Sequence, residues 1–187
     1  MSSEWAEKCL DHYISYLREP AEAVSWESEK GTLQILNFKN VFKDCMVFCS
    51  LGFAKFSKDT SNVYQECVFV VDNSFEEARN LFAGVLLYLG EERGGLDPGI
   101  SQAGNKQLDP DFVSKYDKNG FYFTKMHALP QEFSKVDFAG NNEILMAFLI
   151  SEKEHEFIQL KGPIAFEEEL SKFDMDPFDI SRNSIID

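Results

Sequence analysis

Apolar positions recur at four-residue spacing near the start of the chain, at Trp5, Cys9, Tyr13 and Leu17. That spacing traces one face of a 3.6-residue period and predicts a helix over residues 3–19, capped by Ser2 or Ser3 and stopped by Pro20. Residues 33–38 read as a short strand. Residues 45–53 and 67–71 read as stronger ones, because apolar side chains occupy both alternating sets, as in a strand buried on both faces. Asp72-Asn73-Ser74 ends the third strand, and Ser74 with Glu77 forms a capping-box pattern. Phe75, Ala78, Leu81, Phe82, Val85, Leu86 and Leu89 then predict the main core helix. It is expected to end near Gly90, with Gly94-Gly95 forbidding continuation.

From residue 91 to 118 the periodicity dissolves among six Gly and Pro residues, at 94, 95, 98, 99, 104 and 110. A connection of that length is usually functional, so an exposed and adaptable segment is expected. Residues 121–126 alternate weakly and predict a strand. Residues 143–150 are the clearest late strand. Ser151 and Glu154 form a second capping box, opening a helix over residues 152–161. Gly162-Pro163 breaks it, and Pro163 suits the first turn of a further helix ending near Phe173. Residues 174–187 read as an acidic, irregular tail.

Strands and helices mix without a regular βαβ rhythm, which predicts an α+β fold with a mixed sheet flanked by helices. At 187 residues the chain fits one domain, residues 1–187, since domains run roughly 100 to 200 residues. It shows no repeat, low-complexity tract or interdomain linker. The 18 Phe predict a core filled with rings.

Charge narrows the partners. Eighteen Lys+Arg stand against 32 Asp+Glu, a net charge of −14, and no two basic residues are adjacent. Gripping phosphates requires clustered cations, so neither nucleic acid nor an anionic membrane is an expected partner. A basic protein is favoured by long-range steering. The longest charge-free apolar runs, residues 45–54 and 81–90, are far short of the ~20 residues that span a bilayer. Residues 1–7 carry two acids and no base, which is not a secretory signal pattern. A cytoplasmic location with four reduced thiols, Cys9, Cys45, Cys49 and Cys67, is expected.

Little in the sequence announces catalysis or a metal. Cys45 and Cys49 would share a strand face, but a zinc site wants four ligands in tight groups, and buried small apolar residues is the better reading. Glu152-x-x-His155 occurs once, whereas di-iron bundles use it twice, so a solvated helix face is expected. Asp174-x-Asp176-x-x-Asp179 lacks the glycine and glutamate of a calcium loop. No nucleophile elbow, phosphate loop or dinucleotide fingerprint accompanies His12, His127 or His155. No enzyme activity, cofactor or metal is expected.

The order of elements in the second half carries a resemblance. Asp111-Phe-Val-Ser-Lys-Tyr-Asp117 precedes a strand ending Met126-His-Ala-Leu-Pro130. Ile144-Leu-Met-Ala-Phe-Leu-Ile150 then runs into Ser151-Glu-Lys-Glu154. A helix closes at Lys161-Gly162, Glu167-Glu-Glu-Leu170 follows, and the chain ends in Asp179-Ile-Ser-Arg-Asn-Ser184. This resembles the suppressor-of-fused-like family, in particular its bacterial antitoxin branch, over roughly residues 30–185. Two positions depart from the family pattern. Gly52-Phe-Ala-Lys55 stands where "G-L-S-D" is common, and Arg182-Asn-Ser184 stands for the closing "R-P-S"; a shared surface built from them would be altered here. The resemblance implies an α+β fold and an immunity protein that neutralises a toxin, often a nuclease. A chain at −14 would be steered to a basic nuclease and cover its active site. The candidate interface is the aperiodic segment, with Glu91, Glu92, Asp97, Asp109 and Asp111 as carboxylates against only Arg93 and Lys106. A competing acidic patch comprises Glu167–Glu169 with Asp174, Asp176 and Asp179. The alternative function is a small-molecule or regulatory binding domain with the Gly-rich segment as a lid over a pocket.

Overall fold

The computed structural model describes residues 3–72, 75, 78–173 and 175–186. Helix α1 (Ser3–Leu17) leads into a meander of β1 (Glu22–Ser28), β2 (Gly31–Lys39) and β3 (Cys45–Leu51). Then come α2 (Ala54–Ser61), β4 (Tyr64–Asp72) and the central helix α3 (Ala78–Arg93). The second half holds β5 (Ser101–Ala103), α4 (Asn105–Leu108), α5 (Pro110–Tyr116) and β6 (Gly120–Lys125). After a 3₁₀ turn at Gln131–Ser134 it closes with β7 (Asn142–Ile150), α6 (Glu152–Lys161) and α7 (Pro163–Leu170). One sheet runs β1-β2-β3-β4-β7-β6-β5. Among the described residues its only parallel pair is β4 with β7, so the sheet is mixed, as the sequence predicts.

The continuous apolar runs sit in the middle of the sheet because both faces are covered. Phe48, Phe69, Phe121, Phe123, Leu145 and Ala147 face α2, α3 and α5. The alternate side chains Val47, Cys49, Val68 and Val70 meet α1 through Trp5, Cys9, Tyr13 and Leu17. Farther along, Tyr122, Met146, Phe148 and Ile150 meet Ile158 of α6 and Phe166 of α7. Rings fill the first layer as expected. Phe69 lies edge-on to Phe121 at 5.1 Å and against Phe82 at 5.3 Å.

Three expectations are corrected. The unpredicted β1 is a half-exposed edge strand whose Glu and Ser residues hide its period. The unpredicted α2 has eight residues and draws its start signal from a distant carboxylate described below. The stretch from residue 91 to 118 is not an open connection. α3 runs to Arg93, and β5, α4 and α5 follow, each too short to show a period. The Gln65 side chain clamps the Leu96 backbone from both sides, accepting from its N–H at 2.9 Å and donating to its carbonyl at 2.6 Å. Gly99 N–H donates to Phe123 at 2.7 Å, so the Gly-rich segment is stitched to the sheet rather than poised as a lid. Ser2 as a cap and the Ser74–Glu77 capping box lie outside the described residues.

Candidate functional site

Ionisable groups buried in a fold are either chemistry or scaffold, and their partners decide which. Glu66, on β4, is fully buried. Its carboxylate accepts from Ser50 Oγ at 2.6 Å, Trp5 Nε1 at 3.2 Å, and the N–H groups of Gly52, Phe53 and Ala54 at 2.9, 3.1 and 3.3 Å. Those N–H groups open α2, so Glu66 is the anion that this helix start requires. Burial pushes its carboxyl above the ordinary range, and the hydrogen bonds from Ser50, Gly52, Trp5 and Ala54 offset only part of that rise. Gly52 has φ +112°, and a Cβ there would lie 2.5 Å from the Thr32 carbonyl oxygen. The glycine that opens Gly52-Phe-Ala-Lys55 is therefore a backbone requirement.

The closing Arg182-Asn-Ser184 is also internal. Arg182 is buried and grips Glu154 through Nη1 at 2.6 Å and Nη2 at 3.1 Å, while Nη2 also donates to the Leu149 carbonyl at 2.8 Å. Glu154 closes the expected capping box with Ser151 and accepts from Ile185 N–H at 3.1 Å. Ser151 Oγ donates to Ser184 Oγ at 3.0 Å, and buried Lys118 Nζ donates to the Arg182 carbonyl at 2.6 Å. Burial would raise Glu154, but the Arg182 guanidinium outweighs it and holds the carboxyl below the usual range. Burial, reinforced by Arg182, pushes the Lys118 ammonium down. So these motif residues form a latch that ties the tail to α6, not a surface.

The remaining chemical candidates resolve similarly. His155 does not lie on a solvated face. Its Nδ1 is 2.9 Å from buried Ser101 Oγ, to which Gln159 Nε2 donates at 3.2 Å. Burial pushes the imidazole down, which suits a neutral ring accepting the Ser101 proton at Nδ1. Glu152 accepts from the Asn119 amide instead of sharing a ligand with His155. Cys9, Cys49 and Cys67 are buried, and burial pushes each thiol well up, away from the reactive thiolate. Asp176 and Asp179 accept from Phe178 and Ser181 N–H groups at 2.9 and 2.8 Å, as turn caps do; Asp174 lies outside the described residues. Among the described residues no group of three His, Cys, Asp or Glu side chains could hold a metal ion.

The five candidate interface carboxylates do not behave alike. Glu91 and Glu92 are exposed in the last turn of α3, Asp97 is exposed in the turn before β5, and Asp111 is exposed in the first turn of α5. Asp109 is half-buried and caps α5, with Oδ1 accepting from Phe112 N–H at 2.9 Å. Its carboxylate is part of the fold, a role that the Asp109-Pro110 pair signals in sequence.

Four of the five flank one surface feature. Gly84, Val85 and Tyr88 of α3 face Gln102, Gln107 and Leu108 across a cleft of 360 Å³. Tyr88 and Leu108 are 52% and 54% exposed, high for apolar side chains of their size. Gly84 makes the approach possible, since a Cβ there would lie 2.9 Å from Leu108 Cδ1. Glu91 and Glu92 follow Tyr88 by three and four residues, on the same side of the helix. Asp109 follows Leu108 directly, and Asp111 comes two residues later in the first turn of α5. Asp97 is separate, beside Pro98 and Gly99 on the way round the sheet edge. Periodicity could not reveal the cleft, because Tyr88 and Leu108 are ordinary apolar positions until α3 and α4 meet.

A family model for the suppressor of fused protein (SUFU) matches residues 29–183. The chain therefore belongs to the suppressor-of-fused family, and its α+β architecture is that of solved members. A structure described as a SUFU homolog from Neisseria gonorrhoeae FA 1090 superimposes with TM-score 0.78 and 15% identity, covering 98% of this chain and 97% of that one. Drosophila Suppressor of Fused gives TM-score 0.66 at 12% identity, covering 97% of this chain and 50% of that chain. The Sufu–Fu complex gives TM-score 0.66 at 12% identity, over 97% of this chain and 91% of the other. No curated protein matches the sequence. No helix among the described residues is long and apolar enough to cross a membrane.

Proposed function

We propose that this protein is a bacterial immunity protein of the suppressor-of-fused family, an antitoxin that binds a cognate basic toxin, a nuclease, in the cytoplasm and blocks it sterically and electrostatically. The observation that carries the reading is an exposed apolar pair, Tyr88 and Leu108, flanked by exposed Glu91, Glu92 and Asp111 in a chain of net charge −14. Apolar anchors inside a charged rim are how protein interfaces divide affinity from steering. Two further facts support it. The buried carboxylates Glu66 and Glu154 are engaged by internal donors, Ser50 and Arg182 among them. A relative of the same fold is described in a two-protein complex, Sufu with Fu. Inhibition would need only an interface of about 800 Å² on each partner. The test is co-expression with the toxin encoded in the neighbouring gene. Cells are expected to survive only with this chain present, and the pair to co-purify. Equal death with and without it, and no co-purification, would overturn the reading.

A further inference from the structure

The cleft between α3 and α4 carries polar chemistry as well as apolar surface. Gly84 and Gly104 keep side chains off its floor, and Tyr88 and Leu108 stand over it from the two helices. The Tyr88 ring is half-exposed, and an aromatic face carries partial negative charge. Among the described residues no lysine or arginine lies over that ring.

Two side-chain amides bracket Gly104. Gln102 lies opposite Phe121 in the β5–β6 pair, so it shares the sheet face that α3 covers. Its Nε2 donates to the Ala103 carbonyl at 2.6 Å, which fixes the amide and leaves Oε1 as an acceptor. Gln107 Oε1 lies 3.7 Å from the position that a Cβ on Gly104 would take. Among the described residues neither oxygen accepts a hydrogen bond, and no charged side chain lines the cleft. The nearest charges along α3 are Glu91 and Glu92, on the same side of the helix as Tyr88.

These features reject most occupants. An aliphatic side chain would cover the two amide oxygens and leave them unpaired. A carboxylate would meet both oxygens, the ring face and the acidic rim. A lysine ammonium is compact, strongly hydrated and unable to lie flat on a ring. A guanidinium is planar, stacks on aromatic faces and carries five N–H donors.

We propose that the cleft is an anchor pocket for an arginine of the partner, with the guanidinium on Tyr88, its N–H groups donating to Gln102 and Gln107, and its aliphatic stem against Leu108. The proposal rests on the toxin-binding reading for the identity of the partner and names the side chain by which that partner is held.

The test is an amide NMR titration of the full chain with N-acetyl-L-arginine N-methylamide. The citrulline and lysine analogues complete the set, the first neutral with nearly the same shape, the second charged without the planar fork. Saturable shifts are expected at Gly84, Tyr88, Gly104 and Leu108 with the arginine probe. Citrulline should bind at least about tenfold more weakly, the scale of one lost charged hydrogen bond. Tyr88→Leu should weaken the arginine probe about threefold, the scale of an exposed cation–π contact, and remove its advantage over lysine. Absence of saturation by the arginine probe up to about 10 mM, where millimolar affinity would register, overturns the proposal. So does equal binding of citrulline, or shifts confined to another surface. The citrulline comparison decides the matter on the unaltered chain if Tyr88→Leu fails to fold. Toxin rescue is scored separately on the same chain. Rescue without arginine binding overturns the anchor alone, and arginine binding without rescue overturns the toxin reading alone.

Discussion

Single residues divide here into those that hold the fold and those that face solvent, and Arg182 shows how far position in the sequence can mislead. In a tail that reads as irregular and acidic, it is a buried cation with Glu154 as its counter-ion. Breaking one side of such a pair leaves a buried charge unmatched, which costs ~3–5 kcal/mol. Arg182→Ala should therefore lower unfolding free energy by about that much, measured by urea denaturation. Arg182→Met with Glu154→Gln should recover part of the loss. Acidity supplies a second readout of the same contact. Because the folded-state pKa of Glu154 is depressed, its contribution is present above the unfolded value of ~4.3 and is lost as pH falls through the folded value. In Arg182→Ala the guanidinium that most strongly lowers that pKa is gone, so the folded value should rise and the loss of stability on acidification should shrink relative to wild type.

At the scale of elements, the sequence is legible where the signal is local. The Ser151–Glu154 capping box opens α6 and Gly162 closes it, and the helix occupies Glu152–Lys161, as read from the sequence. The central strands are legible because their neighbours cover both faces and leave no polar alternation. α2 is illegible because its start is set by Glu66, twelve residues beyond its first residue Ala54 and on another element. β5 is three residues long and exists only because β6 offers it an edge. For α5 the signal was present, since Asp109-Pro110 is a cap followed by a first-turn proline. Asp109→Ala should accordingly cost about 1 kcal/mol, the usual value of an N-cap, with the loss centred on amide exchange protection in α5. The same truncation at exposed Asp111 should change stability by less than ~0.5 kcal/mol. Equal effects at the two positions would mean that the cap does not hold α5. The candidate interface was half legible for a related reason. Its acids are visible in the sequence, but the Tyr88–Leu108 cleft is produced by α3 meeting α4.

For the whole molecule, net charge and surface shape act on different parts of binding. Charge at −14 acts over roughly a Debye length, ~8 Å at physiological salt, and so governs how quickly a basic partner arrives. In the proposed complex the apolar pair would act only after contact and govern how long the partner stays. For the proposed toxin complex, this separation predicts two distinct variants. Neutralising Glu91, Glu92, Asp97 and Asp111 to their amides, with the structural Asp109 left intact, should slow association about tenfold at low salt. It should also flatten the salt dependence, with dissociation little changed. Replacing Tyr88 and Leu108 together by Ala should leave association nearly unaltered and speed dissociation at least ~30-fold, equivalent to ~2 kcal/mol of hot-spot contact. Surface plasmon resonance across a salt series separates the two. If the charge variant binds with unaltered kinetics while neutralisation of Glu167–Glu169 slows association, the steering surface is the α7 face, and the toxin docks on the side of the sheet away from the α3 cleft.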